Sequence, residues 1–329
     1  MASDPGAIAQ PFDFARSEFA TKQRGLWGQA FSRLARNRLA LISGILLLVI
    51  AVVAVLGNTV DVVQRHSPSL QEYTTSTGQD NTDASPNSEH WFGTDSLGRD
   101  MWARVLEGTL FSLKVGFGAE GIVLLLGVSL GMVAALGGKF TDGLVTWITD
   151  LFYAFPDLLA IILFRQVLLG RNWPIIGDGD PQIPGAPPIL LVTIFAISFV
   201  SWVTACRLVR GQMLSIREQD YVLAARALGA SPWRVVRGHM LPNTLSTVIV
   251  AVTFGIPTRI FAEASLAFIG LGVPPPNASL GSLISDGYDH INSNQLLVIW
   301  PAAAVAALML CFTFLGDGLR DALDPRTRK

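Results

Sequence analysis

Five ionisable side chains stand inside long apolar runs of this sequence: Glu120, Asp150, Asp157, Arg259 and Glu263. A charge inside a membrane-spanning helix is costly, so such residues commonly line a substrate path, relay protons or form internal ion pairs. Asp150 and Asp157 are seven residues apart, so on an unbroken helix they would share a face and could line a wet path. They could equally cap a helix that breaks at the intervening proline. Arg259 and Glu263 are four residues apart and could pair with each other.

A second polar set precedes the second apolar run and comprises Asp95, Arg99 and Asp100. Two roles fit this set equally well. It could dock a partner or shape an opening, or it could form a self-contained cap of ion pairs. A short helix is expected to start near Leu97, with Asp95 or Ser96 as its N-cap.

The residues give no sign of nucleotide, metal or thiol chemistry. The GxxxxGK[ST] phosphate loop is missing, because the run from Gly137 to Lys139 lacks the upstream glycine and the following Ser or Thr. We therefore expect no catalytic residue, no metal site and no cofactor in this chain. Cys206 and Cys311 fall in or beside apolar runs and are expected to be buried hydrophobic side chains.

The elements that must hold these residues are membrane-spanning helices. Of the 329 residues, 50% are hydrophobic and only 15% are charged, whereas soluble domains average about 25% charged residues. Six apolar runs are long enough to cross a hydrocarbon core of about 30 Å. They cover residues 39–60, 110–136, 144–169, 189–208, 244–269 and 296–315. We therefore predict an all-α polytopic membrane protein with six transmembrane helices.

Two further features belong to these spans. Gly127 and Gly131 form a GxxxG spacing, which favours a close helix contact either inside the subunit or against a second one. Lys114 and Arg165 lie near the ends of their runs and are expected to extend toward the lipid headgroups.

The distribution of basic residues predicts the orientation of the spans. With a cytoplasmic N-terminus, most of the 24 Lys and Arg residues fall on the inside, as the positive-inside rule requires. The predicted topology is therefore N-in and C-in. Its parts are a cytoplasmic tail (1–38), the first transmembrane helix (39–60), an extracytoplasmic loop (61–109), a core with five transmembrane helices (110–316) and a cytoplasmic tail (317–329).

One soluble-looking stretch, within residues 215–243, lies between the fourth and fifth runs on the predicted cytoplasmic side. Its helix formers end at Gly229, which suits the left-handed position after a helix. Ser231 fits an N-cap and Pro232 the first residue of a second helix, which is expected to end at Pro242. The residues alone leave two roles open. The pair could be an amphipathic connector anchored at the headgroups by Trp233, or a helix that fits a groove on a soluble subunit.

Three separated motifs resemble those of one transporter family. Residues 220–243, DYVLAARALGASPWRVVRGHMLPN, resemble the EAA loop of ABC-importer permeases of the peptide/nickel family, oligopeptide or dipeptide C-subunit type. Residues 92–100 are similar to that family's FGTDxxGRD segment. Residues 263–272, with the prolines at 274–276, are similar to its EASLSFLGLG-PPxP segment. The match covers the chain from about residue 25 to its end, although the segment 67–88 looks longer than usual.

The resemblance implies a type I ABC-importer permease (MetI-like) fold with cytoplasmic coupling helices, in the bacterial cytoplasmic (inner) membrane. It also implies ATP-driven, binding-protein-dependent import of di- or oligopeptides. The implied partners are a second homologous permease subunit, one or two ABC ATPase subunits that bind ATP and Mg, an extracytoplasmic substrate-binding protein, the peptide and membrane lipid. No nucleic acid is expected.

The resemblance also assigns roles to residues. The coupling of the EAA loop to the ATPase would use Tyr221, Ala224, Ala225, Leu228, Gly229, Trp233, His239 and Pro242. The candidate translocation path is Asp150, Asp157 and Glu263, and the candidate extracytoplasmic docking site is Asp95, Arg99 and Asp100.

Other functions fit parts of the sequence. A nickel chelate or haem, which this family also imports, would fit the same motifs. A proton-coupled secondary transporter could use Asp150, Asp157 and Glu263 as a relay, but it would leave the helical pair unexplained. A membrane-anchored structural protein would need no charges in its spans.

Overall fold

The computed structural model of the chain describes residues 26–74, 78, 80–169 and 188–323. The expectations for residues 1–25, for most of the loop after the third span and for the last six residues lie outside the described part. Across the described residues the chain is helical, and β-structure is limited to two isolated bridges, Thr74 with Asp80 and Thr94 with Asp100. The predicted all-α class is confirmed.

The described helices begin and end close to the predicted apolar runs. In chain order they are α1 (Leu26–Leu34), α2 (Arg38–Gly57), α3 (Asp61–Gln64), α4 (Met101–Leu136), α5 (Gly138–Tyr153), α6 (Asp157–Leu169), α7 (Ile189–Arg217), α8 (Asp220–Ala227), α9 (Pro232–Val235), α10 (Leu241–Leu266), α11 (Leu280–Asp289) and α12 (Leu296–Leu323). A π-helical turn (Val236–Met240) joins α9 to α10, and a second one (Ala267–Leu271) follows α10.

Five of the described helical segments are long and apolar enough to cross a membrane, and a sixth crossing is made if α5 and α6 count as one bent span. The axes of α5 and α6 differ by 93°. Pro156 lies in the break, where it lacks an N–H and disfavours helical backbone in the residue before it. The expectation that Asp150 and Asp157 share one helix face is therefore wrong. Asp157 instead begins α6, as the broken-helix alternative predicts.

The longest described helix, α4, links the two ends of the bundle. It starts at Met101 because a carboxylate oxygen of Asp100 accepts the Ala103 N–H at 2.8 Å, so the expected cap at Asp95 or Ser96 is wrong. The N-terminal end of α4 packs in one hydrophobic cluster with α11 and α12, and Ala135 near its C-terminus packs in another with the end of α7 and the segment after it. With 36 residues, α4 is about 54 Å long.

Two glycines let α4 approach α7 closely. A Cβ added at Gly127 would lie 2.5 Å from Ala205 Cβ, and one at Gly131 would lie 2.7 Å from the Cys206 carbonyl oxygen. The predicted GxxxG contact is therefore formed inside this chain. Cys206 is buried in this contact, and Cys311 is also a free, buried thiol, as expected.

A side chain at Gly127 is expected to destabilise the bundle. The Gly127→Val side chain would overlap the α7 backbone, and overpacking of this kind costs about 1–3 kcal/mol. The unfolding temperature of the purified chain in detergent should therefore fall. Gly121→Val is the matched control, because it lies on the same helix and a Cβ there would meet nothing within 4 Å. Equal unfolding temperatures for the two variants would contradict the close contact.

Candidate functional site

The soluble-looking stretch folds as a helical pair, α8 and α9, joined by a tight turn. Gly229 adopts φ +85°, the left-handed conformation predicted for the residue after a helix end. Pro232 is the first residue of α9 and Ser231 is its N-cap, both as predicted, although the Ser231 side chain makes no capping hydrogen bond.

One face of the pair is fixed to the membrane helices. Val222 of α8 and Val235, Val236 and Met240 of the following segment are all buried. They pack in one cluster with Met213 near the end of α7. The pair is therefore held rigidly at the end of the bundle where α4 and α7 finish and α10 begins.

The exposed side of the pair carries large apolar side chains beside exposed arginines. Leu228 is 89% exposed, Trp233 67% and Tyr221 44%. Ala224 and Gly229 are also exposed, while Ala225 is half-buried against the cluster. An exposed apolar face on a rigid support is a typical surface for binding a partner.

His239 lies beside Tyr221, and Pro242 is exposed. The His239 ring is half-buried, with its centroid 6.1 Å from that of Tyr221. Asn243 Nδ2 donates to both the Tyr221 hydroxyl at 3.3 Å and the His239 carbonyl at 2.7 Å. These contacts hold the Tyr221 side chain in place.

Pro242 does not end the second helix, so that expectation is wrong. The π-helical turn carries the chain directly from α9 into α10, and the Leu241 N–H bonds to the Val236 carbonyl, five residues back. The wider turn accommodates Pro242, whose nitrogen carries no hydrogen and cannot donate a backbone hydrogen bond. The helical pair is thus continuous with the fifth span.

The intramembrane charges are paired between helices. Arg259 Nε of α10 lies 3.2 Å from Glu120 Oε2 of α4, and the Glu120 side chain is buried. A Cβ at Gly255 would lie 2.3 Å from the Glu120 carboxyl, so this glycine makes the space for the pair. The expectation that Arg259 pairs with Glu263 is therefore wrong.

Glu263 forms a different buried contact. Its Oε2 accepts a hydrogen bond from Ser112 Oγ at 3.0 Å. Arg165 is buried too, and donates to the Gly272 carbonyl at 2.9 Å instead of extending toward the headgroups as expected. The two side chains join α10, α4 and α6 at the level of the second π-helical turn.

Asp150 belongs to a third contact, between α5 and α7. Its carboxylate pairs with Arg207, whose guanidinium stacks on the Tyr153 ring at 4.1 Å. The Asp150 side chain remains 62% exposed, and Asp157 is exposed at the start of α6. Asp150 and Glu263 therefore lie in separate networks. Of the three candidates for the translocation path, Asp150 and Asp157 are exposed and Glu263 is buried.

The FGTDxxGRD segment folds into a compact cap on α4. Asp95 pairs with Arg99 Nε at 2.8 Å and with Arg104, and all three side chains are buried. Gly93 and Gly98 both have positive φ, and a Cβ at either would lie within 2.3 Å of a carbonyl oxygen of the preceding loop. The two glycines therefore let the loop fold tightly over the pairs.

Arg104 is the member of this cap that the sequence did not single out. It also reaches Asp286 of α11 at 3.6 Å, beside a cleft of about 250 Å³ whose lining includes Asp289 and His290. A hydrogen bond between the His290 ring and the Asp286 carbonyl raises the pKa of His290. The only sequence signal for Arg104 is a basic residue one turn after an N-cap carboxylate.

Removing one partner of the Glu120–Arg259 pair is expected to destabilise the chain strongly. Glu120→Gln leaves the half-buried Arg259 guanidinium without its carboxylate, and the loss approaches the value of about 3–5 kcal/mol for breaking a buried pair. Adding Arg259→Gln should recover part of that stability, which a double-mutant cycle of unfolding temperatures would measure. Lys114→Gln, exposed on the same helix, should change little. Strictly additive effects of the two substitutions would contradict a direct pair.

Two family models match separate segments of the chain. Residues 127–329 match the model of binding-protein-dependent transport system inner membrane components, and residues 25–86 match the N-terminal transmembrane domain of oligopeptide transport permease C. Among solved structures, the inward-facing MetNI methionine ABC transporter is similar with a TM-score of 0.53 and 20% identity, over 68% of this chain and 98% of that one. This likeness supports the predicted MetI-like fold.

Curated relatives extend the match over nearly the whole chain. The oligopeptide transport permease OppC of Bacillus subtilis is 36% identical over 95% of this chain and 93% of its own length. The dipeptide transport permease DppC of the same organism is 38% identical over 91% and 86%, and OppC of Escherichia coli is 35% identical over 93% of both chains. The chain therefore belongs to the family of binding-protein-dependent transport system inner membrane components, which are multi-pass proteins of the bacterial inner membrane.

Proposed function

We propose that this chain is one of two permease subunits of an ATP-driven importer that takes up di- or oligopeptides. The relatives named as oligopeptide and dipeptide permeases support this cargo. A nickel chelate or haem is the alternative cargo within the family. A proton-coupled secondary transporter is disfavoured, because a relay would need Asp150 and Glu263 to share a path and they lie in separate networks.

The observation that carries the proposal is the exposed apolar face of the helical pair. Leu228, Trp233 and Tyr221 project from a support that is continuous with α10 and packed on α7 and α4. A partner that pushes on this face would therefore move three spans together. We infer that the partner is an ATPase subunit, which binds ATP and Mg and supplies the energy for transport.

The orientation follows from the same proposal. If the helical pair meets an ATPase, it lies on the cytoplasmic side. The cap then lies on the extracytoplasmic side, because the pair and the cap sit at opposite ends of α4. The excess of Lys and Arg around the pair agrees with an N-in, C-in topology. A substrate-binding protein would then dock at the end that carries the cap. There, Asp95, Arg99 and Asp100 would act by holding the docking surface in shape, since their side chains are buried.

Placing a charge on the helical pair is expected to abolish coupling without unfolding the chain. Leu228→Asp and Trp233→Asp replace two exposed side chains that contact little within the subunit with carboxylates. The unfolding temperature should therefore change little. In a reconstituted complex, ATP-dependent peptide uptake should fall at least tenfold, together with retention of the ATPase subunit. Val62→Asp is the matched control, because Val62 is 86% exposed at the other end of the bundle. Normal uptake in both helical-pair variants would refute the coupling role.

Asp150 provides a separate test of the translocation path. Asp150→Asn removes the charge from an exposed carboxylate that could meet the ammonium group of a peptide. Uptake should therefore fall while the amount of assembled complex stays the same. Asp142→Asn is the control, because Asp142 also pairs with an arginine of α7. Equal losses of uptake in the two variants would assign both carboxylates a purely structural role.

A further inference from the structure

The loop between α3 and α4 brings two of the four histidines together. The ring centroids of His66 and His90 are 4.7 Å apart. The Glu72 carboxylate lies 3.9 Å from His66 Nδ1 and 3.9 Å from His90 Nε2. Two imidazoles and a carboxylate are thus grouped together, and the function proposed above assigns no role to these three side chains.

Asp100 fixes the direction of His90. One of its oxygens accepts from the Ala103 N–H and the other lies 2.7 Å from His90 Nδ1. A carboxylate only accepts hydrogen bonds, so Nδ1 carries a proton and the ring is oriented with Nε2 on the side away from Asp100. There, Nε2 lies 3.3 Å from the Asn81 side-chain nitrogen and 3.9 Å from the Glu72 carboxylate, so a metal ion would displace the contact with Asn81. A carboxylate that orients a histidine in this way is the usual support of a metal-binding imidazole.

We propose that His66, His90 and Glu72 bind one divalent transition-metal ion, with Asp100 as the positioning residue. Two histidines and a carboxylate are a common donor set for Zn²⁺, at bond lengths of about 2.0–2.2 Å. Tetrahedral donors at that distance are about 3.3–3.6 Å apart. The Glu72 side chain is 37% exposed and the His66 side chain 26%, so both have room to close the 3.9 Å separations. A water molecule completes the coordination.

The ion would attach the loop to the N-terminus of α4. His66 lies at the start of the loop and His90 in its last third. Arg65 already joins these two parts by donating to the Ser88 carbonyl at 3.1 Å. Arg65 has φ +64°, which is uncommon for a residue other than glycine and places strain immediately before His66. The metal would hold this turn and connect it through His90 and Asp100 to the start of the helix.

The experiment uses the full chain, purified in detergent through a tag without histidines and stripped with EDTA. Zn²⁺ binding is measured by equilibrium dialysis and metal analysis, and Co²⁺ replaces Zn²⁺ for visible absorption. We expect one Zn²⁺ per chain, a tetrahedral Co²⁺ spectrum and a rise in unfolding temperature on adding Zn²⁺. His66→Ala and Glu72→Gln should each weaken binding at least tenfold and remove the rise in unfolding temperature.

His290→Ala is the matched control, since it removes a half-buried histidine from the other side of the cap. This variant should bind Zn²⁺ like the unmodified chain. If His66→Ala fails to fold, Glu72→Gln decides, because that substitution keeps the shape of the side chain. The proposal is overturned if the unmodified chain binds less than one Zn²⁺, or if it binds no more tightly than both variants.

Discussion

The close contact between α4 and α7 supports the rest of the bundle. Gly127 and Gly131 bring the two backbones together at a distance that no side chain at either position would allow. Because α4 is about 54 Å long, it also joins the cap at one end of the bundle to the helical pair at the other. Its first turn carries the Asp100 cap, and its last turn packs with the segment that holds the helical pair.

The second constraint is that ionisable side chains buried between the helices need a partner. Glu120 with Arg259, and Glu263 with Ser112, each join α4 to α10. A charge without a partner at this depth would be far more costly than the pair, so these contacts specify how the helices align. Gly255 is part of the same arrangement, because the absence of a side chain there makes room for the Glu120 carboxylate. These pairs leave Asp150 and Asp157 as the acidic candidates that remain open to a substrate.

The sequence predicted the features that depend on local rules. The lengths of the apolar runs predicted the membrane-spanning helices. The backbone preferences of glycine and proline predicted Gly229 and Pro232 at the turn of the helical pair. Features that depend on distant residues were not predicted. Arg259 pairs with Glu120, 139 residues away in the sequence, and not with Glu263, one turn along its own helix. Tertiary packing places the Glu120 carboxylate beside the guanidinium, whereas Glu263 is hydrogen-bonded to Ser112.

The same distinction explains the other corrections. Pro242 was expected to end a helix, but a π-helical turn carries the chain from α9 into α10. Two residues of that turn, Val236 and Met240, are buried in the cluster that includes the end of α7. The break between α5 and α6 was one of two open alternatives, since a proline can either kink or end a helix. The motif resemblance located the helical pair, while burial decided which of its side chains are free to bind.

The central claim is that Leu228 contacts an ATPase subunit whose closure moves α4, α7 and α10. The most direct test is a cross-link from Leu228→Cys, which would be the only accessible thiol on this chain because Cys206 and Cys311 are buried. In the assembled transporter we expect the cysteine to cross-link to the ATPase subunit, with a yield that changes on adding ATP. An assembled, active transporter in which the thiol reacts freely and forms no cross-link to the ATPase would contradict the account.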